Sequence, residues 1–153
     1  MKGWNNGTAP RYCFVGLFAS GVAVLAAGVL VYSLERPAGS VPFLPAALSL
    51  HGGQVWLPPA LSGPLPTFLH TLAFTLITAA FLAPTRRAGL AACAAWAAVN
   101  IAFEASQHTA FRDFTGFGMQ GRFDPLDLLA ALLGAAAAYP FIRRPHSAEG
   151  APT

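Results

Sequence analysis

Polar side chains of catalytic or ligand-binding types occur inside or beside apolar stretches of this 153-residue chain. Glu104 lies within the apolar run "VNIAFEASQ", where an isolated carboxylate must be paired or protonated. Such residues usually face a bundle interior or a water-filled cavity, and they mark functional sites. The candidates for a polar or ligand-binding cluster are His70, Glu104, Gln107, Arg122 and Asp127.

These residue types are suited to metal binding, to catalysis or to the binding of a polar group. His70, His108, Glu104 and Asp127 could in principle hold a divalent cation. The chain has no HExxH motif or comparable spacing, so we predict neither a metal nor a cofactor. Ser106 has no triad signature around it, and catalytic residues therefore stay unassigned. The pattern favours binding over enzymatic activity.

The composition places these residues in a membrane protein. Hydrophobic residues make up 55% of the chain and charged residues 10%, against about 25% charged residues in soluble domains. There is no long basic run, so the sequence does not indicate nucleic-acid binding. Cys13 and Cys93 both lie in apolar stretches and resemble small buried hydrophobes rather than a disulfide or a metal pair.

Four apolar stretches are long enough to cross a hydrocarbon core of about 30 Å, which takes about 20 residues. They cover residues 12–34, 66–83, 88–107 and 125–142. The first is longer than the apolar core of a signal peptide, so we expect it to be retained. The predicted fold is an all-α integral membrane bundle of four transmembrane helices, forming one domain over residues 1–144, with a disordered tail over 145–153.

The distribution of lysine and arginine predicts the orientation. With four crossings, six of these residues fall on one side and three on the other. The six are Lys2, Arg11, Arg86, Arg87, Arg143 and Arg144, and the three are Arg36, Arg112 and Arg122. We therefore expect cytoplasmic N and C termini and a multi-pass location in the bacterial inner membrane.

Two long loops then lie on the outer, periplasmic side. The loop over residues 35–65 is rich in proline and glycine but contains apolar residues such as Trp56. We expect it to fold back onto the helices or to lie at the interface, with Trp56 as an anchor. The loop over residues 108–124 contains four phenylalanines, which indicates interfacial aromatics or a lid.

This topology brings the polar residues of three helices to one outer level. His70 lies near the start of the second span, Glu104 and Gln107 lie in the last turn of the third, and Asp127 lies in the first turn of the fourth. Asp124 precedes Pro125 and is predicted to cap the fourth helix. The cluster either binds a ligand or ties three helices together. Below Asp127, the small residues Ala131, Gly134 and Ala138 share a face that would let another helix approach closely.

The segments "FEASQH" and "GRFDPLDLLAALLG", together with "PTFLHTLAF", resemble the VanZ-like membrane proteins. The resemblance covers residues 64–142 and carries over to His70, Glu104, Gln107, Arg122 and Asp127. The sequence departs from the family at Ala131, where asparagine is frequent. The family consists of small bacterial inner-membrane proteins without an established reaction, and its namesake is linked to teicoplanin resistance.

The resemblance and the polar cluster together predict the function. We expect an outer-facing pocket that binds a lipid or cell-envelope head group, with membrane lipid as the partner. The alternative is a non-catalytic accessory or assembly subunit of a larger membrane protein complex.

Overall fold

The computed structural model of the chain describes residues 9–37, 46–50, 52, 56–82, 85–108 and 123–142. The described residues form helices, turns and irregular segments, without a strand among them. The helices are α1 (Ala9–Glu35), a 3₁₀ turn (Ala46–Leu48), α2 (Pro59–Ser62), α3 (Pro64–Phe81), α4 (Arg86–Ser106) and α5 (Pro125–Ile142).

Four helical segments are long and apolar enough to cross a membrane: Phe14–Glu35 within α1, Pro59–Phe81 over α2 and α3, Arg86–Ser106 and Pro125–Ile142. The predicted all-α class with four membrane-spanning helices is therefore confirmed. The predicted tail, 145–153, lies outside the described residues.

The second predicted span begins earlier than expected, within the last residues of the loop assigned to 35–65. The short helix α2 begins at Pro59, and α3 begins at Pro64 after a break at Gly63. Proline is favoured at the first helical position because its φ is already helical and the missing N–H would have no partner there. The N–H groups of Leu61 and Ser62 are donated to the Pro58 carbonyl, at 2.8 and 3.2 Å.

The helix α3 is the centre of the bundle. It packs against α1, α4 and α5, and α4 and α5 also pack against each other. Thr71 and Thr75 are fully buried in α3. Their hydroxyls donate to the carbonyls of Thr67 and Thr71 four residues earlier, at 2.8 and 2.7 Å. The buried hydroxyls are thus satisfied within the helix.

The small-residue face of α5 packs closely against α3. Ala131, Gly134 and Ala138 are all buried. A Cβ atom added at Gly134 would lie 2.6 Å from the backbone carbonyl oxygen of Phe68, so only glycine fits there. The close approach predicted for this face is therefore present, and the helix that approaches is α3.

The helix directions bring charged and polar residues to one end of the bundle. At this end α1 and α4 finish while α3 and α5 begin. We call it the polar end and define it by residues 32–36, 63–70, 104–107 and 124–127. At the opposite end the start of α4 meets the end of α5, where Arg86 Nε donates to the Tyr139 hydroxyl at 3.3 Å.

Candidate functional site

Glu104 joins the end of α4 to the start of α5. Its side chain is 6% exposed. Oε1 accepts a hydrogen bond from the backbone N–H of Asp124. Oε2 accepts one from Nε2 of Gln107 at 3.1 Å. Since both carboxylate oxygens have protein donors, Glu104 is held in place and ties two helices together.

Asp124 caps α5. Its Oδ1 accepts the backbone N–H of Leu126 at 2.9 Å, and its carbonyl accepts the N–H of Asp127 at 3.0 Å. The side chain thereby satisfies an N–H that has no partner within the helix, as an N-cap does. The position of Pro125 directly after the cap gives a local reason for the start of the helix.

Asp127 differs from the other two carboxylates. Among the described residues, its Oδ1 is buried and has no hydrogen-bond partner. Thr67 of α3 interacts with the same carboxyl group, and Arg36 at the end of α1 interacts with it electrostatically. A Cβ atom added at Gly63 would lie 3.7 Å from Oδ1. The buried oxygen therefore lies beside the break between α2 and α3.

His70 lies where α1 crosses α3. Its Nδ1 donates to the Pro66 carbonyl at 2.8 Å, since a carbonyl can only accept. The imidazole lies 5.2 Å from the Tyr32 ring and 6.1 Å from the Phe74 ring, measured between centroids. Its edge also faces Gly28 of α1, where an added Cβ would lie 3.1 Å from Cε1. The histidine therefore packs in the contact between α1 and α3.

The remaining predicted residues are placed in part. Gln107 supports Glu104 as described above, and the His108 ring meets the edge of Phe123 at a centroid distance of 5.0 Å. Arg122, and with it Arg112, lies outside the described residues. Within the described ranges no group of three metal-ligating side chains is suited to a metal ion.

Tyr32, Arg36, Gly63 and Thr67 belong to the polar end but were absent from the predicted cluster. The hydroxyl of Tyr32 lies close enough to Arg36, Asp127 and Glu104 to be affected by their charges, so α1 contributes to the site as a fourth helix. The spacing of Tyr32 and Arg36, one helical turn apart at the end of an apolar span, is a pattern from which α1 could have been included.

The loop after α1 folds back onto the polar end in its described parts, as predicted. Oε1 of Glu35 accepts the backbone N–H groups of Trp56 and Leu57, each at 2.9 Å. The N–H of Leu50 is donated to the Ser33 carbonyl at 2.7 Å. The indole of Trp56 is exposed, which suits a position at a membrane interface.

Comparison of the chain with protein-family models, curated proteins and solved structures finds no match.

Proposed function

We propose that the chain is a VanZ-like protein of the bacterial inner membrane whose polar end binds a head group bearing a primary ammonium. The head group belongs to a membrane lipid or to a lipid-linked envelope precursor. The observation that carries the proposal is the buried Oδ1 of Asp127, which has no donor among the described residues.

The carboxylates of Glu104, Asp124 and Asp127 have different roles. Glu104 accepts two hydrogen bonds and Asp124 caps α5, so the described contacts of both are structural. A buried carboxylate oxygen without a donor costs free energy. An ammonium group has three donors and a positive charge, and it would satisfy this oxygen with a charge-assisted hydrogen bond.

Arg36 supports a head group that also contains a phosphate. It is exposed and close enough to Asp127 to interact with it electrostatically. A guanidinium binds phosphate oxygens with two parallel hydrogen bonds. A phosphate next to an ammonium would therefore match the charges of Arg36 and Asp127.

The location of the polar end on the periplasmic face is part of the proposal. Arg86 and Arg87 lie at the start of α4, at the opposite end. Lysine and arginine accumulate on the cytoplasmic side of bacterial inner-membrane proteins. Their distribution in this chain, six against three, supports a polar end that faces outward.

The test is native mass spectrometry of the purified full chain, with one-to-one mixtures of phosphatidylethanolamine and phosphatidylcholine. Both lipids carry a phosphate, but only the first has N–H donors. We expect the wild type to retain the ethanolamine lipid preferentially, and Asp127→Asn to lose that preference. Asp124→Asn is the matched control because asparagine also caps helices and the charge change is the same.

A second variant tests access to the oxygen without changing any charge. An added methyl at Gly63 would meet Asp127 Oδ1 at 3.7 Å and Asp124 Oδ2 at 3.9 Å, which are ordinary contact distances. The backbone there is helical, with φ −86° and ψ −62°, so Gly63→Ala should fold. We expect the added methyl to fill space beside this buried oxygen that an ammonium group would occupy, and so to reduce retention of the ethanolamine lipid. Equal retention of both lipids by the wild type would refute the proposal.

A further inference from the structure

The faces of α3 differ in how well the other helices cover them. Thr71, Thr75, Leu76 and Ala79 are buried. The face formed by His70, Phe74, Ile77, Thr78 and Phe81 is half-buried at its first four positions and exposed at Phe81. In the described part of the chain, α1 and α4 each pack on α3 without packing extensively on each other. On this face His70 and Ile77 lie against glycines of α1, and Phe74 contacts Trp96 of α4. The face therefore lies in a groove between α1 and α4.

Aromatic side chains line this groove from the polar end inward. Tyr32 of α1 contacts His70, and Phe74 stacks on Trp96 of α4 at a centroid distance of 4.7 Å with an interplanar angle of 18°. Apolar and aromatic side chains are typical of sites that bind hydrocarbon groups.

Three polar groups along the groove donate their hydrogens to protein acceptors. The indole N–H of Trp96 is donated to the Thr78 hydroxyl at 2.8 Å. The Asn100 amide donates to the Trp96 carbonyl at 2.8 Å, and Nδ1 of His70 donates to Pro66. With these hydrogens satisfied internally, the groove suits a hydrocarbon chain better than a polar substrate.

The distance from the polar end to Phe74 fits one membrane leaflet. From Pro64, where α3 begins, to Phe74 the helix advances ten residues, or about 15 Å at about 1.5 Å per residue. Half of a hydrocarbon core of about 30 Å is similar. The groove begins at the polar end, so one molecule could place its head group beside Asp127 and its chain beside Phe74 and Trp96.

We infer that the groove between α1 and α4 holds the hydrocarbon chain of the same lipid whose ammonium head group Asp127 binds. This inference rests on the proposed function and adds that the ligand is bound as an intact membrane lipid. A soluble head-group compound would occupy the polar end alone.

Quenching of Trp96 fluorescence by brominated lipid chains tests the inference, because bromine quenches only tryptophans that it approaches closely. The full chain carrying Trp4→Phe and Trp56→Phe retains Trp96 as its one tryptophan. It is reconstituted in vesicles of phosphatidylcholine that contain a low fraction of chain-brominated phosphatidylethanolamine or, in a parallel sample, of chain-brominated phosphatidylcholine.

We expect the ethanolamine lipid to be enriched at Trp96 about tenfold over its bulk fraction, the factor that corresponds to about 1.4 kcal/mol and to one hydrogen bond with a charged group. Asp127→Asn should remove the enrichment. The matched control carries Leu132→Trp with Trp96→Phe, since Leu132 is exposed on α5 and lies away from the groove. Its quenching should be equal for both lipids.

Two outcomes would overturn the inference. Equal quenching of Trp96 by both lipids, at the level of the Leu132→Trp control, would mean that the groove holds only bulk lipid. Preferential quenching that persists in Asp127→Asn would mean that the chain and the head group do not belong to one ligand. The proposed function is judged separately, because lipid retention in native mass spectrometry can depend on Asp127 even when Trp96 shows no enrichment.

Discussion

Different interactions hold the helices together at the two ends of the bundle. All four acidic residues that the structure describes, Glu35, Glu104, Asp124 and Asp127, lie at the polar end. At the opposite end, Ile142 packs against Gly89, and Arg86 donates to the hydroxyl of Tyr139. Since the described residues of one end hold its helices without carboxylates, helix association alone does not account for the number of carboxylates at the other.

Glu104 and Asp127 differ in how their carboxylate oxygens are hydrogen-bonded. Glu104 has a donor at each oxygen, whereas Oδ1 of Asp127 is buried without one in the described part of the chain. Two acidic residues of one cluster therefore have separate roles, which substitutions can distinguish by their effects on stability and on lipid retention.

The largest expected effect on stability is that of Glu104→Ala. Removal of this buried carboxylate leaves the Asp124 N–H and the Gln107 amide without their acceptor, and we expect a loss of about 3 kcal/mol. The measurement is reversible unfolding in mixed micelles of dodecyl sulfate and maltoside.

Glu104→Gln is the control for this substitution. Its amide oxygen can still accept the Asp124 N–H, so we expect a loss of only about 1 kcal/mol. Equal losses for alanine and glutamine would contradict a role for Glu104 as the acceptor that joins α4 to α5.

Gly134→Ala should have the next largest effect. It changes the close packing of α5 against α3, between the two ends of the bundle. The new methyl would lie 2.6 Å from the Phe68 carbonyl oxygen and 3.0 Å from Thr71 Cβ, so α5 would have to move away from α3. We expect a loss of about 2 kcal/mol, typical of overpacking, in the same unfolding measurement.

Gly16→Ala is the matched glycine control in α1. Among the described residues, no atom outside the adjacent helix backbone lies within 4 Å of an added Cβ at this position. We therefore expect unchanged stability or a gain of up to about 1 kcal/mol from helix propensity. Similar losses at both glycines would show that the close contact between α3 and α5 contributes nothing specific.

The parts of the site that could be predicted from sequence are those that depend on local spacing. Glu104 and Gln107 are three residues apart on one helix, and Asp124 directly precedes a proline. The hydrogen bonds from Gln107 to Glu104 and from Leu126 to Asp124 follow from helix geometry and capping. The four spans were predictable for a similar reason, because length and apolar composition alone define them.

The contacts between helices were not predictable in the same way. Membrane-spanning helices are apolar on all sides, so the pattern does not show which face meets which neighbour. The sequence therefore predicted a close partner for Gly134 without identifying α3. The predicted cluster also lacked Tyr32 and Arg36, because their position beside Asp127 depends on how α1 packs.

A smaller effect is expected from Tyr139→Phe at the opposite end. The substitution removes only the hydroxyl that accepts Arg86 Nε at 3.3 Å, and we expect a loss of about 0.6 kcal/mol, the average for such bonds in membrane proteins. The unfolding measurement described above checks it. A loss as large as that of Glu104→Ala would mean that the two ends are stabilised equally by polar contacts.

The smallest loss of stability should come from Asp127→Asn, measured in micelles without ethanolamine lipid. Asparagine keeps the size of the side chain while removing a charge from a buried oxygen that has no donor in the described structure. We therefore expect the free energy of unfolding to stay the same or to rise by up to about 1 kcal/mol.

Asp124→Ala is the contrasting variant, since loss of its cap should cost about 1 kcal/mol. A large loss for Asp127→Asn would place Asp127 with Glu104 as a structural residue, whereas unchanged stability together with lost lipid retention would separate the two carboxylates.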